Sequence, residues 1–296
     1  MHFDKHHIEN HFVLIIKRFG RNLSVSRRRF LGRIIGRIVC ILFPYRKKVM
    51  LENLTHAFPQ RDRRWLKTIA SRTYVHFMQV LLDFFPVYAL DSIKTEKMFR
   101  VVNQELLENS LAQKRGVCLV LFHFGNWEAL CHWIAVNGYP VRAIAQKMRN
   151  PYVDRLVKES REQYGLTTIS PRTSSRDMIL QLKQNKLLLI VADQDAKHRG
   201  IFIDYFGRPS STYRGPATLA LRAHCPLLIA NCLLDERGHY NISFEEISLE
   251  YPRGGQESPI HYITQKYTRK FEELIRQHPE QYLWFHRRWK TKPPQS

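Results

Sequence analysis

Hydrophobic residues in the central part of the chain form short unbroken runs, separated by longer stretches in which they recur at helical spacing. The runs at 116–122 and 187–192 are typical of strands buried on both faces, since a strand with one wet face alternates. Strands are also predicted at 141–145 and 227–233, and the alternating segment 240–247 is typical of an edge strand. Helices are predicted at 65–88, 127–137, 152–164, 175–184, 216–223 and 261–277.

Strands that alternate with helices in this way predict an α/β fold. We expect a mixed, mostly parallel sheet flanked by helices, with the functional loops at the carboxyl ends of the strands. The chain shows no internal repeat and no low-complexity linker, and we interpret the glycine-containing stretch 253–256 as a loop. One catalytic domain is therefore predicted over 46–296, preceded by a separate segment at 1–45.

A basic amphipathic helix is predicted within that N-terminal segment. Apolar residues fill most positions from 30 to 43, while Arg29, Arg33 and Arg37 recur every fourth residue and share one face. The longest run without a charge, 38–45, is too short to span a bilayer, which takes about 20 apolar residues. We expect the helix to lie in the membrane interface with its arginines at anionic head groups. The alternative is a helix packed on its own domain with the arginines in water.

The formal net charge of +21 is concentrated in the same region. Residues 1–72 carry 17 basic and four acidic side chains, a surplus of 13. Such a surplus predicts negatively charged partners: nucleic acid, an anionic membrane surface or an acidic protein. A hydrophobic content of 44% excludes a disordered polycation. The five cysteines lie in apolar surroundings without a CxxC pair, so we expect reduced core residues rather than disulfides or a zinc site.

Candidate chemistry lies in the hexapeptide HFGNWE (123–128), directly after the first buried strand. Because Gly125 allows a tight turn, Glu128 in the first turn of the next helix is expected to accept a hydrogen bond from His123. The other imidazole nitrogen would then act as a base near neutral pH. No GxSxG nucleophile or HExxH zinc motif accompanies the pair, which favours direct activation of a substrate hydroxyl over an acyl-enzyme. A structural histidine bonded to a glutamate is the equally simple alternative.

From this motif onward the sequence resembles a known family. HFGNWE is similar to the HxGNWE form of the His-x4-acid motif in the bacterial lipid A secondary (lauroyl/myristoyl) acyltransferases, part of the His-x4-acid lysophospholipid acyltransferase superfamily. Similar blocks follow in order at QKMRNP (146–151), VADQD (191–195), YFG (205–207), GPA (215–217) and PEQYLWFHRRWK (279–290). Upstream, ENL (52–54) and AFP (57–59) extend the resemblance.

The resemblance implies an enzyme at the cytoplasmic face of the bacterial inner membrane. Such enzymes move a fatty acyl chain from acyl carrier protein onto a hydroxyl of a lipid A precursor, and His123 and Glu128 would be the catalytic base and its partner. The expected partners are acyl carrier protein, the anionic precursor and the membrane surface, and we expect a monomer. No metal or organic cofactor is expected, because a thioester is already an activated donor.

Three further residues are expected to bind substrate. Asn126 or Arg149 would donate to the oxyanion of the tetrahedral intermediate, and Arg149 also suits a phosphate. Asp193 follows the run at 187–192 and is expected to hold Arg149 or another site group, with Asp195 as the competing choice. The mixed aromatic and basic tail, 282–290, is expected at the membrane interface or packed on the core.

Two other functions stay open. One is an acyltransferase of the same superfamily with another lipid or glycolipid acceptor and either acyl-CoA or acyl carrier protein as donor, because the dyad serves any hydroxyl. The other is a nucleic-acid-binding protein, which explains the charge but gives HFGNWE and the buried strands no role. The sequence has no recognisable zinc-finger, RRM or KH signature.

Overall fold

The computed structural model describes residues 5–252 and 257–294, so the predicted loop at 253–256 lies outside the described residues. The helices are α1 Lys5–Asn22, α2 Val25–Leu42, α3 Lys47–Ala57, α4 Arg63–Val87, α5 Ser92–Met98, α6 Gln104–Ala112, α7 Trp127–Val136, α8 Pro151–Glu162, α9 Ser175–Lys183, α10 Gly215–Ala223 and α11 Pro259–Gln277. The strands are β1 Phe99–Val102, β2 Val117–Leu121, β3 Val141–Ile144, β4 Thr167–Ile169, β5 Leu187–Val191, β6 Ile201–Tyr205, β7 Arg208–Thr212, β8 Leu227–Leu234 and β9 Tyr240–Glu246.

Seven strands form one sheet in the order β1-β9-β8-β2-β5-β3-β4, and β6 and β7 form a separate hairpin. Only the β8–β9 pair of the seven-stranded sheet is antiparallel, so the predicted mixed, mostly parallel sheet flanked by helices is confirmed. The predicted edge position of β9 is wrong, because β9 lies between β8 and β1. Its alternation reflects two faces that are buried to different extents, and the short strand β1 forms the edge.

Alternate residues of β2 enter the two hydrophobic layers of the core. Cys118 and Val120 pack with the layer that includes Phe271, while Leu119 packs with the layer that includes Trp133. An unbroken apolar run is therefore required here, since both faces of this strand are covered. All five cysteines are buried and free, as predicted from their surroundings.

The inner face of α2 packs closely on α4. A Cβ atom at Gly36 would lie 2.5 Å from Cα of Val75, so only glycine allows this approach. Arg29 is also on the inner face and is 7% exposed, with Nη1 2.5 Å from an oxygen of the buried Asp83. Its predicted position at lipid head groups is therefore wrong: a buried carboxylate holds this guanidinium inside the protein.

The outer face of α2 carries apolar side chains into solvent. Five of them, and Phe43 directly after the helix, are between 39% and 73% exposed: Phe30, Ile34, Ile38, Ile41, Leu42 and Phe43. Arg33 and Arg37 are exposed beside this row. None of the described helices is long and apolar enough to cross a membrane.

Candidate active site

His123 and Asp193 meet at the carboxyl ends of two neighbouring parallel strands. β2 and β5 pair in register up to Leu121 opposite Val191, and each of the two polar residues comes two positions later. Nδ1 of His123 lies 2.7 Å from Oδ1 of Asp193, whose side chain is 2% exposed. The carboxylate accepts this hydrogen bond, so Nδ1 carries the proton and Nε2 is left as the basic nitrogen.

The two groups of this pair shift each other's protonation. Burial acts to lower the pKa of His123, but the charge of Asp193 and the hydrogen bond to it outweigh burial and raise that pKa above 6.5. Burial acts to raise the pKa of Asp193, but the imidazole outweighs it and lowers that pKa below 3.8. Asp193 is therefore ionised at neutral pH and stabilises a protonated His123.

Glu128 does not bond to His123, although both residues are described, so the sequence-based dyad is wrong in its geometry. Its Oε2 accepts hydrogen bonds from the hydroxyl of Tyr88 at 2.8 Å and from Nε of Arg161 at 3.2 Å. Oε1 accepts from Nη2 of Arg161 at 2.5 Å. Glu128 lies in the first turn of α7, which Asn126 caps, and its partners come from the residue that ends α4 and from α8.

Arg161 was not identified from the sequence. It lies half-buried in the last turn of α8, next to the buried Ser160, and a basic residue in the last turn of a helix carries no signal of a site. Burial acts to lower its pKa, but Glu128 outweighs burial and raises it. The guanidinium is therefore a permanent positive charge at this site.

A cavity of about 440 Å³ opens beside His123. Its lining includes Glu128, Arg161 and Trp127, and the ring of Trp127 meets the imidazole edge-on at a centroid distance of 4.9 Å. Tyr213 also lines the cavity. Apolar residues make up much of the remaining wall: Ala143, Ile144, Met178, Leu189, Ile190, Val191, Pro216 and Leu219. The cavity thus joins a basic nitrogen to a hydrocarbon-lined space.

Asn126 and Arg149 lie outside this lining. The Oδ1 atom of Asn126 accepts the N–H of Ala129 at 3.0 Å, and its Nδ2 donates to the hydroxyl of Tyr240 at 3.1 Å. Both ends of the carboxamide are committed to the protein, so the expected oxyanion contact finds no support in its position. Arg149 is exposed on the loop before α8 and does not contact Asp193; Arg161 is the arginine that lines the cavity.

Asp195 serves the C-terminal tail rather than the imidazole. Its backbone N–H donates to Nε2 of His286, and its Oδ2 accepts from the hydroxyl of Thr291, both at 2.9 Å. Trp284 and Arg288 of the same tail are 1% and 2% exposed. Of the two positions expected for the tail, packing on the core is therefore the one observed.

Comparison with known proteins gives related enzymes. The chain is 23% identical over 267 residues to the lipid A biosynthesis lauroyltransferase of Escherichia coli (strain K12), which covers 89% of this chain and 85% of that protein. It is 24% identical over 213 residues, 69% of the chain, to the phosphatidylinositol mannoside acyltransferase of Mycobacterium tuberculosis (strain ATCC 25618 / H37Rv). The match spans 65% of the length of that mycobacterial relative.

One solved structure, the 1-acyl-sn-glycerophosphate (LPA) acyltransferase PlsC from Thermotoga maritima, matches at a TM-score of 0.36 and 14% identity, covering 85% of this chain and 98% of that one. That score is too low to carry an argument. A family model described as bacterial lipid A biosynthesis acyltransferase matches residues 3–291, which include the whole cavity described above. The chain therefore belongs to the bacterial lipid A biosynthesis acyltransferase family.

Proposed function

We propose that the protein transfers a fatty acyl chain from acyl carrier protein to a hydroxyl of a lipid A precursor, at the cytoplasmic face of the bacterial inner membrane. The observation that carries this proposal is the His123–Asp193 pair at the edge of an apolar-walled cavity. A cavity of this kind suits an acyl chain, and the basic nitrogen suits a hydroxyl acceptor. Family membership supports the lipid A precursor as the acceptor.

In this mechanism Nε2 of His123 takes the proton from the acceptor hydroxyl while its oxygen attacks the thioester carbonyl. The tetrahedral intermediate then expels the carrier's thiolate, which takes the proton from the imidazolium, and an ester is formed. Asp193 holds the imidazole through Nδ1 and stabilises its charged form. General-base catalysis of this kind raises the rate roughly 10²- to 10⁴-fold. The mechanism passes through no acyl-enzyme.

Glu128 acts in this proposal through Arg161. Its carboxylate binds Nε and Nη2 of the guanidinium, which fixes a positive charge at the cavity wall where the oxyanion develops. Asn126 contributes indirectly, as the cap of the helix that carries Glu128. Residues 143–146 line the cavity, and Arg149 follows them in the chain and is exposed. Arg149 is proposed to contact the phosphate of the donor.

An assay of the purified enzyme tests this function. The donor is acyl carrier protein loaded with a fatty acid, and the acceptor is a lipid A precursor. We expect His123→Ala to lower turnover roughly 10²- to 10⁴-fold. His198→Ala, which removes an exposed histidine outside the cavity, is the matched control and should leave turnover unchanged. Near-normal turnover of purified, folded His123→Ala would overturn the mechanism.

The outer face of α2 supports the proposed membrane contact. Its exposed apolar row lies beside a groove of about 720 Å³ lined by basic residues of α2 and α4: Arg33, Arg37, Arg63, Arg64, Lys67 and Arg72. Apolar side chains flanked by cations are the pattern of a helix that lies on an anionic membrane. The chain is proposed to dock by this face, with the inner face of α2 kept on α4.

Vesicle sedimentation tests this docking. Deletion of residues 1–45 is a poor test, because it would leave Asp83 buried without its arginine partners. The combined variant Ile38→Gln, Ile41→Gln and Phe43→Gln keeps those ion pairs and should release the protein from phosphatidylglycerol vesicles. The control replaces exposed apolar residues elsewhere, Ile93→Gln, Leu180→Gln and Tyr251→Gln, and should remain bound. Equal binding of both variants would contradict the docking face.

A second acceptor is favoured by the mycobacterial similarity. The phosphatidylinositol mannoside acyltransferase of Mycobacterium tuberculosis is as similar to this chain in identity as the lauroyltransferase. Another glycolipid acceptor therefore remains the alternative function. A competition assay that supplies both glycolipids to one enzyme preparation, followed by mass spectrometry of the products, separates the two.

A further inference from the structure

A basic pocket of about 390 Å³ lies between α3, the start of β7 and the C-terminal tail. Three distant segments of the chain bring five cations to its wall: Lys48, Arg208, Arg287, Lys290 and Lys292. All five are exposed, and none forms an ion pair with a carboxylate among the residues that the structure describes. Glu52 is the acidic residue of the lining, so the wall keeps a strong positive excess.

His56 lies in the wall of this pocket, near two of its cations. Burial, and then the charges of Arg208 and Lys292, lower its pKa to about 4. Its Nε2 atom is buried and has no hydrogen-bond partner among the described residues, and its ring packs on Trp289 at a centroid distance of 4.4 Å. The pocket wall thus combines a positive excess with a neutral imidazole whose buried ring nitrogen has no partner among the described residues.

The pocket is tied to the catalytic site through the backbone of the tail. Leu283 donates its N–H to the carbonyl of His123 at 3.0 Å, and Thr291, between two of the cations, donates to Asp195 at 2.9 Å. The pocket and the catalytic cavity share no lining residue, so a ligand in one leaves the other free.

We propose that this basic pocket binds a phosphate group of the lipid acceptor while the acceptor hydroxyl lies at His123. The proposal rests on the proposed function in taking a phosphate-bearing glycolipid as the acceptor. A lipid is favoured over an acidic protein because strongly exposed apolar residues, Leu42 at 64% and Phe43 at 71%, come just before the pocket's Lys48 in the chain. Arginine and lysine together provide the donors that a phosphate requires.

Steady-state kinetics of the full-length protein test this site. The combined variant Arg208→Gln, Arg287→Gln and Lys292→Gln should raise KM for the acceptor about tenfold or more, with kcat and donor KM unchanged. The control Lys97→Gln, Lys114→Gln and Arg222→Gln removes equal charge from exposed sites elsewhere and should behave like the unmodified protein. When phosphatase has removed the phosphate groups of the acceptor, the variant and the unmodified protein should have the same KM for it.

Other kinetic outcomes overturn the proposal. A rise in donor KM alone would assign the pocket to the donor's phosphate or to its acidic carrier. An equal rise in acceptor KM in the variant and the control would show general attraction by net charge instead of a site.

A binding measurement separates this proposal from the proposed function. NMR signals of the His56 ring, assigned with His56→Gln, are followed while glucosamine 1-phosphate or glucosamine is added. We expect only the phosphate-bearing sugar to shift the signals, and the triple variant to bind it about tenfold more weakly. A shift in a protein that acylates no acceptor would leave the pocket standing and refute the function; no shift would refute the pocket.

Discussion

Asp193 accepts a hydrogen bond from Nδ1 of His123 over 2.7 Å, although 70 positions separate the two residues. The pairing follows from the register of β2 and β5, which sets Leu121 opposite Val191 and so brings the next side chains on the same side together. Glu128, only five positions from His123, bonds to other groups. The partner of this imidazole is thus set by strand pairing and not by a local motif.

The first prediction concerns the pH dependence of activity. Because the neutral imidazole is the proposed base, kcat/KM should fall on the acid side with an apparent pKa above 6.5. Asp193→Asn removes the charge that raises this pKa while burial continues to lower it, so the acid limb should move to lower pH. Turnover at the optimum should also fall, roughly 10²- to 10⁴-fold. Identical acid limbs in the two proteins would contradict the pairing.

The same pair should also make the stability of the protein depend on pH. Activity falls toward acid pH, whereas the stabilisation from this pair is lost toward alkaline pH. The folded protein holds the proton of His123 more tightly than the unfolded chain, whose histidine titrates near 6.5. The stabilisation is therefore complete below pH 6.5 and is lost as the pH rises through the raised pKa. Urea unfolding of the protein and of His123→Gln should show a difference in unfolding free energy that shrinks with rising pH. A difference that grows would exclude this sign.

Glu128 and Arg161 should contribute to stability as a unit. Their side chains are 9% and 19% exposed, and Arg161→Met would leave the carboxylate with Tyr88 as its remaining hydrogen-bond donor. We expect this change to lower the free energy of unfolding by about 3 kcal/mol. Glu128→Leu combined with Arg161→Met removes both charges and should recover most of the loss. If the double variant lost as much unfolding free energy as Glu128→Leu and Arg161→Met lose together, the pair would not be coupled.

Asp83 should be among the most costly polar positions to change. It accepts a hydrogen bond from Arg28 at 2.8 Å, pairs with Arg29 at 2.5 Å and accepts the hydroxyl of Tyr240. Asp83→Asn leaves two buried guanidinium groups without a counter-charge, which we expect to cost about 3 kcal/mol. Tyr240→Phe keeps those ion pairs and should cost about 1–2 kcal/mol. Chemical unfolding of both variants checks the order, and the reverse order would contradict it.

Gly36 should tolerate no side chain. A Cβ atom there meets Cα of Val75 at 2.5 Å, so α2 would have to move away from α4. We expect Gly36→Ala to lower stability by about 1–3 kcal/mol. Ile38→Ala on the outer face of the same helix, where the side chain is 45% exposed, should change it by less than about 0.5 kcal/mol. Equal thermal stability of the two variants would show that the helices do not pack as described.

The sequence by itself determined the main elements of the fold. Every strand and helix predicted from spacing in the α/β domain occurs within two residues of its predicted ends, because local periodicity decides which side chains one element can bury. Several further elements were missed, and two of them are long: the helices Lys5–Asn22 and Lys47–Ala57 have 18 and 11 residues. The edge strand Phe99–Val102 and the hairpin Ile201–Tyr205 with Arg208–Thr212 are too short to show a clear alternation, and the helix Gln104–Ala112 was also missed.

Only the tertiary structure decided which polar groups meet. Asp193 rather than Glu128 holds His123, Arg161 rather than Arg149 lines the cavity, and Arg29 is inside the protein. Each of these outcomes depends on strand register or helix packing between segments far apart in the chain. A hydrogen bond is effective only within about 3 Å, so its partner is fixed by the packed three-dimensional arrangement and not by local spacing along the chain.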